Sequence, residues 1–260
     1  MRLLLALIFL ASADLPADGA DCPASHATER VRVIHVTDGD TVKLADGRRL
    51  RIIGINAPEI HRPGHAAEAF AAAARTALER LLDSHNRTLL LQTGKERRDH
   101  YGRLLAHAFL ETGENIAVQL LEQGLATTLV VPPNTWGQAC YRQAEDAARL
   151  AHRGLWQLAA YRATAGRNLT PDIRGFRIVN ARVTDVRYSS HAVWIDLEGP
   201  LVIRVARDDL AYFEPGFPEN LHGRNVEVRG WIKQDRKDGL RISARHPAAI
   251  RTLAPAPVKH

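Results

Sequence analysis

Sulfur and aromatic rings are scarce in this 260-residue sequence, which has two cysteines, one methionine and 6% aromatic residues. Two cysteines, Cys22 and Cys140, exclude a disulfide-dense scaffold and a four-cysteine zinc site. No apolar run approaches the roughly 20 residues of a membrane span. There is no glycine-rich phosphate loop, no HExxH zinc helix, no Ser/His/Asp hydrolase motif and no internal repeat. His61 and His65 flank Arg62-Pro63-Gly64 without a cysteine or helical partner, so no zinc site is expected there. At 25% charged and 45% hydrophobic residues the chain is globular rather than disordered, long enough for one large or two modest domains.

The charge balance is basic, with 35 Lys and Arg against 29 Asp and Glu for a net +6, which favours polyanionic partners. Much of the surplus lies from Ile173 onward, where 15 basic residues face 10 acidic ones. At the other end, Arg2, the apolar run Leu3 to Ala11 and the small residues behind it have the form of a secretory signal. Cleavage is expected after Ala13 or Ala20, giving an exported protein with no membrane association beyond that signal. In an oxidising compartment Cys22 and Cys140 can pair, although nothing in the sequence brings them together.

Between these ends, Val31–Val36, Thr41–Leu44 and Arg49–Ile55 read as three strands, with turns at Thr37–Asp40 and Asp46-Gly47. Phe70, Ala74, Leu78 and Leu82 recur at helical spacing, predicting a helix from about Ala66 to Asp83. Thr88–Thr93 and Leu104–Leu110 follow as strands, separated by a charged loop, residues 94–103. A second helix is expected between the N-cap Asn115 and Gly124, and a third from a Thr135/Gln138 capping box to Gly154. Beyond a linker-like stretch the helical pattern stops. Phe176–Tyr188, Ala192–Leu197, Leu201–Ala206, Asn225–Lys233 and Leu240–Ala244 alternate as strands. All four tryptophans, Trp136, Trp156, Trp194 and Trp231, read as packing residues rather than binding platforms, with Trp194 and Trp231 the two to test for base stacking.

Taken singly, the polar residues of the first half are unremarkable. Asp38-Gly39-Asp40-Thr41 is an ordinary turn sequence, Arg51 has the form of a structural arginine paired to Glu59, and Arg103 is a loop charge. Their order changes the reading. Asp38-Gly39-Asp40-Thr41-Val42, Arg51-Ile52-Ile53-Gly54-Ile55-Asn56-Ala57-Pro58-Glu59, Asp99-His100-Tyr101-Gly102-Arg103 and Gln123-Gly124-Leu125-Ala126 follow one another with consistent spacing, before Gly154-Leu155-Trp156. From Val31 to Trp156 the sequence resembles the staphylococcal nuclease (thermonuclease) family.

That resemblance implies an α+β fold: a five-stranded barrel of the oligonucleotide-binding (OB) type with three flanking helices, here followed by a second small, mostly β barrel. With the signal and strand patterns read above, the expected organisation is a signal at 1–20, a nuclease domain at 28–158, a linker at 159–175 and an OB-like accessory domain at 176–253. The resemblance further implies a monomeric, Ca²⁺-dependent nuclease acting on DNA and RNA, leaving 3′-phosphate ends. Asp40, the Asn56 side chain and the Ala57 carbonyl stand at the Ca²⁺ positions, Arg51 and Arg103 at the phosphate positions, and Glu59 at the general-base position. His100 and Tyr101 stand beside the substrate. Two departures matter. Asn56 replaces a ligand aspartate and removes one negative charge from the metal site, which weakens Ca²⁺ binding. Thr127–Pro132 lacks the tyrosines that hold a base in other members, so base contacts there are weaker or different. The rival expectation is a noncatalytic nucleic-acid-binding member, inactivated by Asn56.

Overall fold

The structure, a computed structural model, describes residues 22–24, 26–60, 64, 66–234 and 239–254. The expected signal at 1–20, and His61 and His65, lie outside the described residues.

β1 (Glu29–Asp38), β2 (Thr41–Leu44) and β3 (Arg49–Ile52) form an antiparallel meander through tight turns. β4 (Gly54–Asn56) is a separate strand, followed by helix α1 (Ala71–Asp83). β5 (Thr88–Arg98) and β6 (Leu104–Phe109) complete a closed barrel in the order β1-β2-β3-β6-β5, with β3 and β6 parallel. Helix α2 (Ile116–Glu122), strand β7 (Thr127–Leu129) and helix α3 (Gln138–Leu150) follow. The barrel interior holds Val33, Leu44, Leu50, Ile52, Leu89 and Leu91, all essentially inaccessible.

The continuous strand expected over Arg49–Ile55 is two strands. At Gly54 the backbone takes φ +91°, open to glycine at no steric cost, and the chain leaves the barrel to pair β4 with β7. A Cβ at Gly54 would fall 2.2 Å from the Tyr141 ring, so the position requires glycine for space as well as conformation. Three further boundaries differ from expectation. Phe70 adopts φ 66° and starts α1 five residues late. Pairing of Arg98 with Leu104 carries β5 through half of the expected charged loop. Gly137, not a Thr135 capping box, precedes α3, and no side chain caps it. Asn115 does cap α2, its Oδ1 accepting from the Ala117 and Val118 amides at 2.9 and 3.4 Å.

In the second half, β8 (Ala163–Ala165) lies along β9 (Gly175–Tyr188), which is followed by β10 (Ala192–Leu197) and β11 (Leu201–Ala206). β12 (Asn225–Gln234), β13 (Leu240–Ser243) and β14 (Ile250–Thr252) follow. Pairing of β12 back onto β9 closes β9-β10-β11-β13-β12 into a second five-stranded barrel, with β8 and β14 at its margins. Val183, Val193, Ile195, Ile203, Val226 and Ile242 fill its core. No helix among the described residues is long and apolar enough to cross a membrane.

The barrels meet along α3 through charge. Glu145, fully buried, accepts from Arg229 of β12 at 2.5 and 2.6 Å, from Arg142 at 3.1 Å, and from the Thr128 amide and hydroxyl at 2.7 and 3.0 Å. Burial works against its charge, but the two guanidiniums overcome it and hold the carboxyl down to about 2. Arg149 grips Glu227 through both nitrogens at 2.8 and 2.6 Å, and Arg251 reaches Asp146 at 2.8 Å.

Cys22 and Cys140 form a disulfide, with Cα atoms 5.9 Å apart, tying the chain ahead of β1 to α3. Close by, the Tyr141 hydroxyl meets His107 Nδ1 at 2.8 Å and accepts from Asn115 Nδ2 at 3.1 Å, and that amide also donates to the Cys22 carbonyl at 3.3 Å. The bridge spans 118 residues of sequence. On the chain-entropy model, removing it with Cys22→Ser/Cys140→Ser lowers unfolding free energy by up to about 4–5 kcal/mol, to be read from urea melts. His107 supplies a second prediction. Burial lowers its imidazole to about 4, so it stays neutral in the fold while the unfolded chain takes a proton below pH 6.5. Its contribution is fully present above pH 6.5 and falls away as pH drops toward 4. Between pH 7 and pH 5 the loss is about 2 kcal/mol, and His107→Gln should shrink that loss.

Candidate active site

The turn after β1 and the bend at Gly54 bring Asp40, Arg51, Asn56 and Ala57 into contact, and the hairpin joining β5 to β6 carries Arg103 to a cavity that Arg51 also lines. Asp40 is buried at the end of the first turn; its Oδ2 accepts from the Ala57 amide at 2.6 Å and faces Arg51 Nη2 at 3.0 Å. Its Oδ1 accepts from the Thr41 hydroxyl at 3.0 Å. Burial pushes the Asp40 carboxyl up to about 7; Arg51 and the Ala57 amide pull it down, and neighbouring Asp38 pushes it further up.

Arg51 stands on the outer face of β3, opposite buried Leu50 and Ile52. The strand break lets its guanidinium fold over the start of β4. Nη1 donates to the carbonyls of Ile52 and Ile55, the latter at 3.0 Å, and Nη2 donates to Asn56 Oδ1 at 3.3 Å. Its carboxylate partner is therefore Asp40, and not Glu59 as a purely structural arginine would have it. The Asn56 amide completes the circuit by donating to the Ala57 carbonyl at 3.3 Å.

Glu59 is exposed just beyond β4. Its main chain is held by Glu68: the Glu59 amide donates to Glu68 Oε2 at 3.2 Å, and the Glu68 amide donates to the Glu59 carbonyl at 3.0 Å. Arg103 comes from the hairpin, where Asp99 fixes it. Asp99 Oδ1 accepts from the Tyr101 and Arg103 amides and Oδ2 from Arg103 Nε at 2.7 Å. Burial opposes the Asp99 charge, but these bonds more than offset it and leave the carboxyl below its ordinary range. Tyr101 is 63% exposed, stacked obliquely on His100 at 3.7 Å, with the Arg103 guanidinium 5.4 Å from its ring.

Arg51, Arg103 and His100 line one open cavity of about 380 Å³. Guanidinium forks, which both of these arginines carry, are donors that a phosphodiester accepts. Asp40, the Asn56 side chain and the Ala57 carbonyl offer only hard oxygens. No cluster of three or more His, Cys, Asp and Glu exists among the described residues. Hard oxygen donors such as these three are the kind that Ca²⁺ takes.

Residues 49–158 match the family described as staphylococcal nuclease homologue. The thermonuclease of Staphylococcus intermedius is 32% identical over 132 residues, covering 50% of this chain and 77% of that protein. The thermonuclease of Staphylococcus hyicus is 32% identical over 136 residues, covering 51% and 79%. The chain belongs to the staphylococcal nuclease family. Endonuclease YncB of Bacillus subtilis is similar too, 29% identical over 152 residues and covering 55% of this chain and 71% of that relative.

The matched region, residues 49–158, runs from β3 through α3, with β1 and β2 of the same barrel ahead of it. Three residues that matter to the cavity carry no local sequence signal. Asn134 clasps β5 by accepting from the Glu96 amide and donating to its carbonyl, both at 3.0 Å. Glu145 holds β7, and through it β4, by way of Thr128. Arg245 reaches the cavity from the second barrel. A glutamate four residues before Arg149 reads as an ordinary helix-surface charge, and nothing local marks the other two.

Gly39 gives a test of how tightly the site is built. A Cβ there would fall 2.7 Å from the Cβ atoms of both Ala57 and Ala74. Gly39→Ala should force the turn off α1 and break the contact of Asp40 with the Ala57 amide. Overpacking of this kind costs about 1–3 kcal/mol; urea melts give the stability change.

Proposed function

We propose that this chain is an exported, Ca²⁺-dependent nuclease that hydrolyses phosphodiester bonds of DNA and RNA. The observation that carries the reading is the convergence of Arg51 and Arg103 on one cavity, with Asp40 and Asn56 in contact with Arg51. The names of the thermonuclease and endonuclease relatives support the same chemistry. Export rests on the sequence of residues 1–20, and the Cys22–Cys140 bridge fits an oxidising compartment.

In this reading Asp40, Asn56 and the Ala57 carbonyl hold Ca²⁺, which when bound neutralises phosphate charge and favours attack at phosphorus. Arg51 and Arg103 donate to the non-bridging oxygens and gain strength as negative charge builds on them. Glu59, exposed and anchored through its main chain, takes the proton of the attacking water. The new oxygen–phosphorus bond forms as the bond to the 5′ oxygen breaks; that oxygen takes a proton from solvent and leaves as a 5′-hydroxyl, and the other product carries a 3′-phosphate. His100 and Tyr101 flank the departing strand.

Single-stranded DNA and RNA incubated with the purified chain should be cut with Ca²⁺ and left intact with a chelator. Arg51→Ala and Glu59→Gln should each lower kcat by about 100-fold or more. Restoring the ligand charge with Asn56→Asp should reduce the Ca²⁺ needed for half-maximal rate. Cleavage that persists in chelator, or survives both substitutions, overturns this mechanism. Activity appearing only in Asn56→Asp would instead mark a noncatalytic binding protein.

A further inference from the structure

A groove between the two barrels adjoins the nuclease cavity. Leu129, Val131 and Arg245 line both spaces. One side of the groove is β7 and the residues after it, the stretch that lacks base-holding tyrosines; the other is β12 of the second barrel. Phe176 and Trp231 stand together there, ring centroids 5.2 Å apart and edge to face. Both are only partly buried.

The charge of the groove has one sign. No acidic side chain lines it. Arg229 is neutralised by Glu145, and burial lowers His246 so that it stays uncharged at neutral pH. Lys233 is exposed and makes no ion pair with a described residue. Arg245 is half exposed and loosely held, its Nε 3.4 Å from both Asp209 oxygens and its Nη2 3.5 Å from the Pro132 carbonyl. A cation on such long contacts is free to turn toward a phosphate. The walls themselves are fixed, since Glu145 joins Arg229 on one side to Thr128 on the other.

We propose that the inter-barrel groove is a second binding site that holds a single-stranded stretch of the substrate beyond the scissile phosphate. Lys233 and Arg245 take its phosphates, and Trp231 with Phe176 offers the surface on which its bases stack. Aromatic and apolar walls favour a single strand, because a duplex keeps its base faces covered. The groove thereby supplies base contacts that the first barrel lacks over Thr127–Pro132. This inference rests on the nuclease reading for the position of the scissile bond, and the test separates the two.

The full chain is assayed on fluorescein-labelled oligothymidylates of 3 and 12 nucleotides with Ca²⁺. Wild type should favour the 12-mer in kcat/KM. Lys233→Ala/Arg245→Ala and Trp231→Ala should each compress that preference by about tenfold, mainly through KM for the 12-mer. Melting curves check that the variants fold, and Trp231→Phe should restore much of the lost preference. A length preference unchanged in the folded variants overturns the groove site while leaving the nuclease intact. Should wild type cut nothing, the nuclease reading fails alone. Anisotropy of the labelled 12-mer in chelator then reads the groove directly: about tenfold weaker binding by the double variant sustains it, and equal binding overturns it. Equal losses with a 12-base-pair duplex also overturn the single-strand assignment.

Discussion

A carboxylate sealed from water has to find its partners inside the fold, and Asp40 finds one in the next residue and two in other segments. Thr41 follows it in the chain, Ala57 arrives from beyond β4, and Arg51 arrives from β3. An unpaired buried charge would cost several kcal/mol, so these segments are bound to one geometry. The broken strand makes this possible. If β3 ran straight through Ile53, Asn56 and Ala57 would continue along the barrel wall, away from the Asp38–Asp40 turn. The left-handed turn at Gly54, seated on the Tyr141 ring, redirects them.

Tyr141 also links this bend to the rest of the domain. Its ring covers Gly54, and its hydroxyl joins His107 of β6 to Asn115, the cap of α2. The next residue back, Cys140, carries the disulfide to Cys22. One turn of α3 therefore supports the site strand, a helix cap and the chain ahead of β1. Because every polar member of that cluster is satisfied by another, loss of one leaves the others unpaired in the interior.

The later turns of α3 meet the second barrel. Glu145, Arg149 and Asp146 meet Arg229, Glu227 and Arg251, and Glu145 alone is buried deeply enough to fix both barrels and β7 at once. Ion pairs with bidentate geometry specify orientation more than they add stability. That property suits an interface whose consequence is a groove of defined shape.

Much of the architecture could be read from the sequence. Period-two alternation found all five strands of the second barrel, since each has one face in a core that excludes water. Asn115 marked its helix because capping is local. The motif order marked Asp40, Arg51, Asn56, Glu59 and Arg103 together. Alternation could not find the break at Gly54, because apolar residues continue through it, and β7 is too short to carry a period. Charge alone made Glu145 and Arg245 look like solvated surface. Their roles are set by what lies across from them, namely Arg229 and Thr128 for one and the nuclease cavity for the other. The sequence by itself determined the two barrels and the set of candidate site residues, because hydrophobic period, caps and motif spacing are properties of neighbours along the chain. Only the tertiary structure decided that Arg51 pairs with Asp40, that Cys22 meets Cys140 and that Arg245 of the second barrel lines the cavity of the first, because those contacts join separate segments of the chain.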